Sequence, residues 1–110
     1  MTAAIDSESL RLRLLAVDPP LLLAVASLAD FRRARIPGAR HFADLAALLR
    51  EVPRERSIVV TSSGADDLTA AWARRLLVEH GYRDVTIHRG GLRAWQAAAL
   101  PVDTIPRDIN

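Results

Sequence analysis

Ser57-Ile58-Val59-Val60-Thr61-Ser62-Ser63-Gly64-Ala65-Asp66-Asp67-Leu68 is the stretch on which the fold turns. Ser57 to Thr61 is rich in β-branched residues and predicts a strand. Ser62 to Asp66 is small and polar, which predicts a tight loop. A long helix is expected to begin near Asp67, with Leu68, Trp72 and Leu76 as its buried row and Gly81 as the residue that ends it. Strand, short loop and helix in this order form half of a parallel α/β unit.

The same alternation continues on both sides. Upstream, Asp6 or Ser7 can cap a helix that carries Leu10, Leu14 and Val17 on one face, and Asp18-Pro19-Pro20 stops it. Leu21 to Val25 is short, aliphatic and bounded by turn formers, as in a central strand buried on both faces. Ser27 can cap a helix running through Ala34. Ile36-Pro37-Gly38-Ala39 then forces a turn into a brief strand at Arg40 to Phe42. Asp44 can cap the next helix, with Leu45, Leu48 and Leu49 inward and an end near Pro53. Downstream, Val85 to His88 reads as the last strand, Gly90-Gly91 as a turn, and Leu92, Trp95 and Ala99 as the inner face of a closing helix. Pro101 to Asn110 has no period. The expected architecture is a parallel sheet with helices on both faces, forming one domain over residues 1–102 with a tail at 103–110.

Composition limits the function classes. Half of the 110 residues are hydrophobic and a quarter charged, the balance of an ordinary globular domain. No apolar run approaches the ~18 residues of a membrane span. The acidic opening residues do not resemble a secretory leader, so a cytoplasmic location is expected. The pI near 10.3 accompanies a formal charge of only +2, because all fifteen basic residues are Arg and little titrates between His and Arg. The arginines alternate with acids, so no nucleic-acid partner is expected. Arg32, Arg33, Arg35 and Arg40 are the one local basic cluster. With zero Cys there is no disulfide, thiolate metal site or thiol nucleophile. His41, His80 and His88 have no ligand spacing, so no metal or cofactor is expected.

In open parallel sheets, ligands bind where loops leave the carboxyl ends of strands for helix N-termini. The loop Ser62, Ser63, Gly64, Ala65, Asp66, Asp67 is the best such place, able in principle to turn several backbone N–H groups toward an anion or thiolate. Ile36-Pro37-Gly38-Ala39 resembles the first signature of the rhodanese homology domain. Val59-Val60, Ala70-Ala71, Leu76, Gly81-Tyr82, Val85, Gly90-Gly91, Trp95 and Pro101 resemble its closing pattern, over roughly residues 5 to 102. The resemblance implies a three-layer fold, with a five-stranded parallel sheet flanked by helices. It also implies a loop Cys that takes a sulfane sulfur as a persulfide and passes it to a nucleophile.

Alignment to the family places that Cys at Ser62, whose hydroxyl has no counterpart of the persulfide. Catalytic members usually read Asp-Val-Arg where this chain has Ala24-Val25-Ala26, and often carry a basic residue where it has Asp66 and Asp67. These two carboxylates are expected to occupy the N–H groups at the helix start, leaving small-anion binding weak at best. No catalytic residue is therefore expected. Ser62 to Asp67 reads as a vestigial active-site loop, and the domain as a silent module for interaction, regulation or structural support, with another protein or a neighbouring domain as partner. The alternative is a sulfurtransferase whose nucleophilic Cys is replaced by Ser62. A serine hydrolase would need a base, and His88 is the only histidine near the carboxyl edge. Trp72 and Trp95 are both expected in the core.

Overall fold

The structure, a computed structural model, describes residues 4–64 and 68–104. In chain order its elements are β1 (Ala4–Ile5), α1 (Ser7–Leu14), β2 (Leu21–Ala24), α2 (Leu28–Arg33), β3 (Arg40–His41), α3 (Leu45–Glu51), β4 (Ile58–Thr61), α4 (Leu68–Glu79), β5 (Val85–His88) and α5 (Gly91–Ala97). The strands form a five-stranded parallel sheet in the order β1-β5-β4-β2-β3. Its centre is the aliphatic pair β2 and β4, in register from Leu21 beside Ile58 to Ala24 beside Thr61.

Side chains alternate across that pair, so each strand feeds two cores. Leu22 and Val59 pack with Leu10, Ile36 and Trp95 on the α1 and α5 side. Leu23, Ile58 and Val60 pack with Leu48, Ala70, Ala73 and Leu77 under α3 and α4. Local polar signals set the helix starts. Asp6, Ser27 and Asp44 each accept a hydrogen bond from a first-turn backbone N–H, at Ser9, Asp30 and Ala46 respectively. Buried Tyr82 donates to the Val52 carbonyl at 2.7 Å, tying the chain after α4 to the end of α3.

Four expectations change. α1 ends at Leu14 and Val17 is fully exposed, because the chain must leave the helix before Asp18-Pro19-Pro20. α4 buries Ala70, Ala73 and Leu77, while Leu68 and Trp72 are 75% and 57% exposed and Leu76 is half-buried. Small residues on the inner face let the helix sit close to the sheet, and the Arg74 guanidinium reaches the Val85 carbonyl at 2.7 Å. A Leu-Trp-Leu row would hold it off. α5 ends at Ala97, and Ala99 lies beyond it with a φ of +60°. The two-residue strand β1, beside β5, was not among the expected elements.

The chain after α5 folds back. The Trp95 indole donates to the Pro101 carbonyl at 2.7 Å, and Asp103 pairs with Arg35 through two backbone hydrogen bonds. Among the described residues no helix is long and apolar enough to cross a membrane.

The two tryptophans are therefore expected to respond oppositely. Trp95→Ala should cost about 3–5 kcal/mol by urea denaturation, as for a large buried aromatic, whereas Trp72→Ala at micromolar protein should change stability by about 0.5 kcal/mol or less.

Candidate functional site at the carboxyl edge of the sheet

The carboxyl ends of β1, β5, β4 and β2 lie side by side and carry Ser7, His88, Thr61 with Ser62, and Ala24 with Ala26. Ser62 leaves β4 buried, Ser63 is exposed and Gly64 half-buried. Ala65, Asp66 and Asp67, including the expected filling of N–H groups by the two carboxylates, lie outside the described residues.

The described part of the loop is held by the start of α5. The Leu92 N–H donates to the Ser62 carbonyl at 2.8 Å and the Arg93 N–H to the Ser63 carbonyl at 3.2 Å. First-turn donors of a helix have no partner within it, and here loop carbonyls supply one. The approach requires glycine. A Cβ on Gly91, whose φ is +56°, would stand 2.3 Å from the Ser62 carbonyl oxygen, and one on Gly64 would stand 2.3 Å from that of Gly90.

Below the loop, His88 is fully buried. Its Nε2 lies 2.8 Å from Ser7 Oγ and its Nδ1 2.9 Å from Thr61 Oγ1, and its ring meets Trp95 edge-on at 6.2 Å. Both ring nitrogens are thus engaged by hydroxyls, an arrangement that joins three strand ends. This network was not legible in the sequence, since Ser7 and His88 are 81 residues apart. The other histidines also have partners. His41 Nε2 lies 2.6 Å from the Ala26 carbonyl and His80 Nδ1 2.9 Å from that of Leu76.

Beside Ser62 is a small cavity of about 40 Å³ whose walls include Ala24, Ala26, Phe31, Arg35, Ile36 and Leu92. Its lining is largely apolar. Ala24 and Ala26 thus present methyl groups at the two positions where the resemblance implies Asp and Arg. Arg35 stacks on the Phe31 ring, 5.1 Å from its centroid. Its neighbours in the basic cluster are dispersed, with Arg33 paired to Asp30 at 2.7 Å and Arg40 paired to Glu51. No group of three or more His, Asp or Glu among the described residues is placed to hold a metal ion.

The Rhodanese-like domain family matches residues 9–98, and the chain belongs to that family. It is 33% identical over 105 residues to a sulfurtransferase of Allochromatium vinosum, an alignment covering 93% of this chain and 95% of the relative. Among solved structures, the Alr3790 protein from Anabaena sp. superposes with a TM-score of 0.84 at 28% identity, covering 92% of each chain. The 3-mercaptopyruvate sulfotransferase SseA from Escherichia coli shares the fold, with a TM-score of 0.79 at 19% identity. That match covers 94% of this chain and 52% of SseA.

Two outcomes follow from the geometry. Gly91→Ala should destabilise by more than about 1 kcal/mol in urea denaturation, since the added methyl meets a backbone carbonyl at a left-handed residue, and the amide resonances of Ser62 and Ser63 should move. The Ser9 backbone N–H and hydroxyl hold the Asp6 carboxyl below the usual Asp range, with the nearby charge of Arg89 lowering it further. A depressed carboxyl stabilises the fold at neutral pH and loses that contribution as pH falls through its folded value. Asp6→Ala should therefore melt lower than the parent at pH 7, and the gap should close as pH drops through the acid range.

Proposed function

We propose that this rhodanese-like domain is catalytically silent and serves as an interaction, regulatory or structural module, with another protein or a neighbouring domain as its partner. One observation carries the reading: the residue for which the family resemblance implies the sulfur-accepting role is Ser62, in a chain with no cysteine anywhere. Sulfur transfer in this family needs an atom that attacks sulfane sulfur, keeps it as a persulfide and releases it. A serine hydroxyl is a weaker nucleophile toward sulfur and has no persulfide equivalent. The apolar walls at Ala24 and Ala26 support the same reading, because they offer an anionic donor no charge or hydrogen bond. The proposal includes a cytoplasmic setting, weak affinity for small anions at most, and no nucleic-acid partner.

A second reading has one observation in its favour, the near full-length similarity to a protein named as a sulfurtransferase. On that reading the cleft remains competent and only the nucleophile has changed.

Restoring the thiol separates the two. The parent protein should give no thiosulfate-dependent conversion of cyanide to thiocyanate above a buffer blank. Ser62→Cys should introduce a thiol that alkylates at an ordinary rate, with a pKa near 8.5, and little or no turnover. The triple variant Ser62→Cys, Asp66→Gly, Asp67→Arg should show a more acidic thiol and more turnover than the single variant. Efficient turnover by Ser62→Cys alone would favour the second reading, and turnover by the parent would refute the first.

A further inference from the structure

The outward face of α4 carries large exposed side chains that belong to neither core. Leu68, Ala71, Trp72, Arg75, Leu76 and Glu79 follow the i, i+3, i+4, i+7 spacing of one helical stripe. Leu68 is 75% and Trp72 57% exposed, and an open groove of about 310 Å³ runs between Trp72, Arg75, Leu76 and Glu79. The opposite row, Ala70, Ala73 and Leu77, already supplies the contact with the sheet. A large aromatic flanked by leucines on a helix surface is the composition of an interface centre.

We propose that this stripe pairs α4 with α4 of a second copy of the chain, antiparallel, about a two-fold axis crossing the helix between Ala73 and Arg74. The stripe maps onto itself under that operation, as an isologous contact requires. Trp72 falls opposite Arg75 of the second copy, and Arg75 opposite its Trp72, giving two equivalent stacks of guanidinium on indole. Leu76 falls opposite Ala71, a large side chain against a small one, and Leu68 opposite the aliphatic stem of Glu79. The charge pattern also favours a like partner. The stripe holds one cation and one anion, already within 3.3 Å of each other as the Arg75–Glu79 pair, so its net charge is zero and it selects neither an acidic nor a basic surface. One helix face covers less than the ~800 Å² per partner of a standard interface, so the association is weak, with a dissociation constant in the micromolar to millimolar range.

Sedimentation velocity of the full chain over a concentration series up to about 1 mM tests this. The weight-average mass should rise from that of the 12.1 kDa monomer toward twice that value. Trp72→Glu should hold the protein at monomer mass at every concentration, with its circular dichroism unchanged. Arg75→Glu, which places an acid against the indole and beside Glu79, should weaken association at least tenfold and provides a second readout if Trp72→Glu misfolds. A parent that stays monomeric throughout would overturn the proposal, as would a dimer indifferent to both substitutions.

Discussion

At the carboxyl edge of the sheet, the His88 imidazole lies between two hydroxyls, Ser7 Oγ and Thr61 Oγ1, with none of its surface exposed. An imidazole with no partner at that depth would cost roughly 1–3 kcal/mol per unmet group. Here both nitrogens are met, so the ring can serve as a polar pin through the ends of β1, β5 and β4. Trp95 closes over it edge-on, and the chain beyond α5 is drawn back as that indole bonds to Pro101. The start of α5 can then reach the Ser62 and Ser63 carbonyls. Among the described residues no buried side-chain nitrogen or oxygen is left without a partner.

Catalytic sites keep donors and charges aimed at a position where a substrate will sit. In this chain the Ser7, His88 and Thr61 side chains are turned on one another, and the cavity beside Ser62 has a largely apolar lining, with Arg35 in its wall. The proposed role as a silent module follows from that contrast together with the absence of cysteine. The two cores on either side of β2 and β4 are built without the loop residues Ser62 and Ser63.

Much of the fold was legible because its signals are local. Asp6, Ser27 and Asp44 cap helices through bonds spanning two or three residues, and the aliphatic runs at Leu21 and Ile58 leave few alternatives to buried strands. β1 was not legible, since two residues carry no period. α4 was read with its faces reversed because the size of an apolar side chain says how much it gains by burial, not how closely a helix must approach a sheet. Ala70 and Ala73 win the inner face by being small. At the site, Ser62 could be singled out through the family resemblance, and the structure buries it at the end of β4. The Ser7–His88–Thr61 network could not, because its partners come from three distant parts of the chain. Arg35, read as part of a surface cluster, forms a cavity wall because Phe31 holds its guanidinium and Asp103 its backbone.

Catalytic silence requires that the chain hold no sulfane sulfur at all. Incubation of the unmodified protein with excess thiosulfate, followed by removal of the donor and intact-mass spectrometry under non-reducing conditions, measures this directly. Catalytic silence predicts a mass unchanged from that of the untreated chain. A stoichiometric gain of one sulfur atom per chain, discharged on addition of cyanide, would contradict it.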